Sequence, residues 1–354
     1  KNKKDMKELL DLMIKDMNES DELFKPTNFW TKGIKGILSD LNNDEDFLKF
    51  RQHKSANFMY VPTYDHSLYK KYGKIINRIF KVNYTNKPKP EIEGLFGMLS
   101  GYNKAKSDYR VFKASETSLH PNISDVSESL VGSPKDYYCF DSKNYSNSFL
   151  NYLLGINFLK KNVQTTNLKS VFEIGGGYGT LGEILLKSDE NFFYLNVDIP
   201  PVASVSTYYL SEVFGAENVL SYEQSRNMEI IDIEELKKKY KCVVLCPWQL
   251  KKLKGKFDLF VNFMSFQEME PHIVKNYISI VEKHTSQYIL LRNSLSGKKV
   301  ATNDDEIGVI DITKTSSMYE MFKEFSLVKK DHKSFGHYSN KFVSEISCLT
   351  RHKL

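Results

Sequence analysis

Residues 172–182 read FEIGGGYGTLG, five glycines in eleven positions with an acid, Glu173, just ahead of the first. The apolar run SVFEI (170–174) precedes them and an amphipathic segment opens at Thr180, so the glycines fall in a strand-to-helix turn. Glycine carries no Cβ, and such a turn at the rim of an open α/β sheet is where a ligand meets bare backbone.

Downstream, short apolar runs alternate with amphipathic segments. FFYLNVDI (192–199), CVVLC (242–246), KFDLFVNF (256–263) and QYILLRN (287–293) read as strands, with helices expected from Thr180, over Val202–Phe214 and over Pro271–His284. A helix near Met318–Phe325 precedes KFVSEISCLT (341–350), whose alternation predicts an antiparallel edge strand. The series predicts an α/β fold built on a doubly wound, mostly parallel sheet.

Upstream, Met6, Leu9, Leu10, Met13, Ile14 and Met17 share one helical face, and a second helical run follows PTNFW (26–30). A third helix is expected over Ser67–Val82, before NKPKPEIEG (86–94) breaks the pattern, and a fourth over Ser146–Lys161. Residues 1–140 are thus expected to form a mainly helical N-terminal region and 141–354 the sheet-bearing domain. Ser115–Lys143, rich in Ser, Pro, Asp and Asn, reads as an irregular connection or binding loop.

Composition narrows the function classes. A chain of 354 residues that is 41% apolar has the material for a sizeable core. The opening KNKKDMKELL continues as an amphipathic helix and lacks the apolar core of a signal peptide, and no apolar stretch approaches the roughly 18 residues of a membrane helix. Four scattered cysteines (Cys139, Cys242, Cys246, Cys348) suit a reducing, cytoplasmic compartment. On one strand face Cys242 and Cys246 lie about 13 Å apart, too far for a zinc clamp, and are expected in the core. The net charge of +6 is spread through mixed Lys and Asp/Glu, so nucleic acid is not expected as a partner. The 21 Tyr and 23 Phe can fill a core, and are also the residues that line carbohydrate clefts.

Two nucleotide-binding fingerprints overlap in the glycine turn. Gly177, Gly179 and Gly182 form G-x-G-x-x-G, with Asp198 ending the next strand about twenty residues on, as in NAD-dependent oxidoreductases. Glu173, Gly175, Gly177 and Gly179 form E-x-G-x-G-x-G with the same Asp198. A turn with no bound ligand, in a cofactor fold used as a scaffold, is the non-enzyme reading.

The second pattern resembles motif I of class I S-adenosylmethionine-dependent methyltransferases, in which an acid leads the glycine turn. The helical segment ahead of the turn, Phe257-Asp258 opening a later strand and the closing edge strand all suit that fold. EIGGGYGTLGEIL, VDIPP and FDLFVNFMSFQEMEP are similar to the putative sugar O-methyltransferase family of bacterial glycan gene sets. The similarity runs from about residue 145 to 295, and more loosely over PTNFW and SESLVGSP. It implies a Rossmann-like sheet of seven strands, S-adenosylmethionine as cofactor, and a sugar, sugar nucleotide or glycan as acceptor, with the N-terminal region forming part of the acceptor cleft. Glu173, Gly175, Gly177 and Gly179 would then form the cofactor turn, and Asp198 would accept from the ribose hydroxyls. Ile199, Asn262 and Gln267 would lie beside the cofactor, and Trp248 over its adenine.

Methyl transfer to a hydroxyl needs a group that removes the hydroxyl proton. In that fold the loop after the fourth strand faces the methyl group. Here it reads NFMSFQEMEPH, offering Glu268 and His272 as bases, with Glu270 and His272 also readable as ordinary helix-start residues. His332 and His337, in KDHKSFGHYSNKF, are further candidates. A divalent metal would draw on Asp258, Glu268, Glu270 and Asp311, though no spacing compels one.

Overall fold

The computed structural model describes residues 5–59, 64, 72, 75, 78–79, 100–135, 137–303, 306–337 and 343–352. Apart from positions 72, 75, 78 and 79, the helix expected over Ser67–Val82 lies outside the described residues. Two N-terminal helices, α1 (Met6–Glu19) and α2 (Asn28–Asp40), are amphipathic and bury Leu9, Leu10 and Met13, and Phe29, Trp30 and Ile34. Helix α3 (Tyr102–Ser115) is followed by a coil and by a hairpin of Tyr137–Phe140 against Lys143–Ser146, paired strands where a fully irregular connection was expected.

Among the described residues the large sheet has eight strands: β1 (Ser170–Ile174), β2 (Phe193–Val197), β3 (Val219–Leu220), β4 (Cys242–Leu245), β5 (Phe257–Phe263), β6 (Thr285–Ser294), β7 (Phe325–Asp331) and β8 (Ser344–Arg351). Their order is β7-β8-β6-β5-β1-β2-β4-β3, parallel except where β8 pairs antiparallel with β6 and β7. All five residues of β1 and of β2 are buried, as a sheet covered by helices on both faces requires. The covering helices are α4 (Asn147–Asn162), α5 (Thr180–Ser188), α6 (Pro200–Phe214), α7 (Pro271–His284) and the short α8 (Thr315–Met321).

Two expectations are corrected. The count is eight strands and not seven, because the two-residue β3 extends one edge. The closing alternating run is antiparallel but lies between β7 and β6, and β7 forms the edge. That edge strand exposes Ser326 to Lys330 and shifts register between Leu327 and Lys329, which blunts pairing with another chain.

Buried charge ties the N-terminal region to the sheet. Arg51 pairs with Glu128 at 2.6 Å, and Glu128 also accepts from Ser146 N–H (2.6 Å) and from the Tyr178 hydroxyl (3.1 Å) inside the glycine turn. Arg226 holds Asp16 of α1 through both Nε (2.5 Å) and Nη2 (2.8 Å), and this fork keeps the Asp16 carboxyl below its usual range. Removing one partner of the buried Arg51–Glu128 pair strands the other charge. No helix among the described residues is long and apolar enough to cross a membrane.

Candidate active-site cleft

Strand order reverses between β1 and β5, and a doubly wound sheet opens a crevice at the carboxyl ends of the strands where this happens. The principal cleft lies there. It is lined by Gly175, Gly176 and Gly177 after β1, Asp198 and Ile199 after β2, Pro247 after β4, and Met264 to Met269 apart from Phe266 after β5.

The glycine turn is held from within. Gly175 and Gly177 both have positive φ (74° and 59°), the region glycine reaches without penalty. Asn196, buried in β2, accepts from Gly176 N–H (3.2 Å) and donates to the Gly177 carbonyl (3.1 Å), while Gly175 N–H bonds the Val197 carbonyl (2.8 Å). A Cβ on Gly177 would lie 2.1 Å from the Met59 carbonyl oxygen, so the N-terminal segment Lys54–Met59 passes directly over the turn.

Asp198 joins the turn to the second strand. Its Oδ2 accepts from Gly177 N–H at 3.0 Å and its Oδ1 from Ile199 N–H at 2.8 Å. Confinement in the cleft pushes its carboxyl up to about 8, against the pull of those two amides. A carboxylate has about four acceptor positions, so two remain for a ligand. Ile199, Pro247, Ile273 and Tyr277 give this end of the cleft apolar walls fit for a flat ring.

Glu173 stands behind the turn, fully buried, outside the cleft lining. It accepts from the Tyr152 hydroxyl (2.7 Å) and the Tyr194 hydroxyl (2.5 Å), and burial raises its carboxyl to about 7 in spite of them. A proton held more tightly in the folded than in the unfolded state stabilises at low pH. The contribution of Glu173 is complete below about 4.5 and is lost as pH rises to about 7. Thermal melts across this window are expected to fall more steeply for the parent than for Glu173→Gln, and parallel slopes would assign the titration to another group.

Several expected site residues stand elsewhere. Gly179 lies outside the lining, its missing Cβ facing Leu210 at 3.0 Å, so it serves helix packing. Trp248 is also outside, donating to the Tyr222 hydroxyl (3.2 Å) with its ring edge-on to Tyr222, which removes it as an adenine cover. Asn262 is fully buried, donating to the Ile174 carbonyl (2.9 Å) and accepting from Phe266 N–H (3.1 Å), and it braces β5 against β1. Gln267 does line the cleft and accepts from Ser294 N–H (2.5 Å).

Of the four candidate bases, Glu268 alone lines the cleft. His272 is exposed, because the buried face of α7 runs through Ile273, Val274 and Tyr277 and turns position 272 outward. His337 meets Asp108, which also accepts from the Tyr64 hydroxyl, outside the lining. His332 is exposed near Glu345. The proposed metal oxygens do not gather: Asp258 accepts from Lys169 and Ser170 N–H at the opposite end of the sheet, Glu270 from Ile310 N–H, and Asp311 from Ile312 N–H. No metal-binding group of three or more His, Cys, Asp or Glu occurs among the described residues.

The other end of the cleft is walled by the N-terminal region. Phe29, Trp30 and Phe58 form a contiguous aromatic trio (centroids 5.8 to 6.3 Å apart) that lines the space beside Glu268. Thr27 Oγ1 donates to the Glu268 carbonyl (2.9 Å) and Asn28 to the Gly308 carbonyl (2.9 Å), pinning PTNFW to the loops after β5 and β6. Glu268 itself pairs with Lys298 at 2.9 Å. Burial raises its carboxyl, opposed by the Lys298 charge and by a hydrogen bond from Trp30. Sequence reasoning missed Trp30, Phe58, Met59 and Lys298 as cleft residues, although PTNFW carried a faint signal.

No protein-family model and no curated protein matches the chain. Solved structures similar to it include the mitomycin 7-O-methyltransferase MmcR, at 11% identity, 73% coverage of this chain, 70% of that one and a TM-score of 0.37. Magnesium protoporphyrin IX methyltransferase (ChlM) from Synechocystis with bound SAH is similar at 11% identity, 75% and 100% coverage and a TM-score of 0.38. An S-adenosylmethionine-dependent methyltransferase from Clostridium acetobutylicum is similar at 16% identity, 56% and 91% coverage and a TM-score of 0.34.

Proposed function

We propose that the chain is an S-adenosylmethionine-dependent O-methyltransferase that acts on a sugar hydroxyl of a glycan or glycan precursor, with residues 141–354 binding the cofactor and residues 1–140 contributing the acceptor wall. The observation that carries the reading is the bond from Gly177 N–H to Asp198, which makes the glycine turn and the strand-end acid one surface of the switch-point cleft. Two lone-pair positions on Asp198 suit the two hydroxyls of a ribose, and the slot of Ile199, Pro247 and Tyr277 suits an adenine.

The turn favours this cofactor over NAD. The Met59 carbonyl over Gly177 presents an acceptor oxygen to the turn, which repels a pyrophosphate and suits the ammonium of a methionyl tail.

S-adenosylmethionine supplies an electrophilic methyl carbon on a sulfonium. The residues of the chain have three tasks: to hold the ribose at Asp198, to stack a sugar ring on the Phe29, Trp30 and Phe58 wall, and to take the hydroxyl proton on Glu268. Glu268 suits the last as the ionisable carboxylate of the acceptor end, raised by burial. Calorimetric titration tests the reading: S-adenosylhomocysteine is expected to bind and NAD is not. Binding of NAD without binding of S-adenosylhomocysteine would replace the methyltransferase with an oxidoreductase.

A further inference from the structure

Among the described residues, the ionisable groups lining the cleft, tyrosines aside, are two carboxylates, Asp198 and Glu268, and two cations, Lys25 and Lys298. Lys298 bridges two functions. Its ammonium is 2.9 Å from Glu268 and 4.8 Å from the centroid of Phe29, so it links the carboxylate to the aromatic wall. Its side chain is 30% exposed while that of Glu268 is 13% exposed, so the cation lies at the mouth and the acid deeper. Gly297, at φ +74° with Thr313 backbone 2.7 Å from where a Cβ would stand, fixes the turn from which Lys298 reaches in. Lys25 pairs with the largely exposed Glu22, a pairing that water weakens.

We infer that the acceptor carries a phosphate ester next to its sugar ring, and that Lys298 passes from Glu268 to this phosphate when the acceptor binds, with Lys25 as a second contact. The inference rests on the methyltransferase reading and specifies its acceptor. A phosphate offers more negative charge and more acceptor oxygens than one carboxylate, so it competes well for a half-exposed ammonium. A neutral sugar leaves Lys298 on Glu268. The groups facing Glu268 are Lys298 from the turn after β6, the Trp30 indole from α2 and the more distant charge of Asp198 from β2. Lys298 is the cation paired with Glu268 among the described residues, and its withdrawal raises the proton affinity of the carboxylate. The carboxylate becomes a stronger base at the moment the hydroxyl arrives, and recognition is thereby coupled to proton removal.

The test uses the full chain saturated with S-adenosylhomocysteine, titrated calorimetrically at fixed ionic strength with hexoses, their 1-phosphates and the matching nucleoside diphosphate hexoses. Phosphorylated members are expected to bind at least about tenfold tighter than the free sugars. The advantage is expected to vanish in Lys298→Met, to survive in Lys298→Arg and to shrink in Lys25→Met, with S-adenosylhomocysteine affinity unchanged throughout. If the 1-phosphates show the full advantage, one phosphate is read; if only the nucleotide forms do, the diphosphate is. Equal binding of free and phosphorylated sugars, binding of no phosphorylated member, or an undiminished preference in Lys298→Met overturns the inference. Absence of S-adenosylhomocysteine binding in the first titration would instead remove the methyltransferase reading.

Discussion

Glu268→Gln is expected to lower turnover by about 10² to 10⁴ while leaving S-adenosylhomocysteine affinity near that of the parent. The amide keeps the shape of the side chain and one oxygen for Lys298 and Trp30, so the wall it braces stays in place. What it loses is the capacity to accept a proton. The end of the cleft proposed to hold the cofactor, with Asp198, Ile199 and Pro247, makes no hydrogen bond to Glu268 among the described residues, so binding and chemistry are expected to separate. His272→Ala is the matched control: the side chain is exposed, and parental turnover is expected. If Glu268→Gln turns over at the parental rate, the proton goes elsewhere, and His337 with its partner Asp108 becomes the next candidate.

The parts of the fold that were legible in the sequence are those whose signal is local. SVFEI is mostly apolar because β1 is buried on both faces, and the glycines after it are needed for positive φ at Gly175 and Gly177. Pro271 followed by Ile273, Val274 and Tyr277 set both the start and the buried face of α7, and the same periodicity already turned His272 outward. What was not legible depends on pairing. Val219–Leu220 is too short to carry a pattern, and nothing in FSLVKKD distinguishes an edge strand from a polar loop until β8 is laid beside it. Asn262 and Trp248 lie at the right strand ends for cofactor contact. Their side chains nevertheless serve the β1–β5 brace and the Tyr222 contact, a choice made by neighbours far away in the chain.

The cleft shows the same division. Asp198 and the glycine turn lie within one strand-helix-strand unit and could be read from spacing, whereas the other end of the cleft joins Trp30, Phe58, Glu268 and Lys298 from four distant segments. PTNFW fits its place because Pro26 and Thr27 lead into α2, Thr27 and Asn28 reach across to the loops after β5 and β6, and Phe29 and Trp30 then face the space between. None of that follows from helical periodicity, which sees only a buried face.

The account stands or falls on Asp198 as a cofactor residue, and calorimetric titration of Asp198→Ala with S-adenosylhomocysteine tests it most directly. Hydrogen bonds of a carboxyl raised to about 8 contribute about 0.5 to 1.5 kcal/mol each near neutral pH, so losing two is expected to weaken binding about tenfold. The variant should remain folded, since Asn196 still holds Gly176 and Gly177, and the Val197 carbonyl still holds Gly175. Its melting temperature without ligand is expected to match or exceed that of the parent, because a carboxyl raised to about 8 by confinement is removed. A folded variant that binds S-adenosylhomocysteine within about twofold of the parental affinity would contradict the account, for Asp198 would then be only the clasp of the glycine turn.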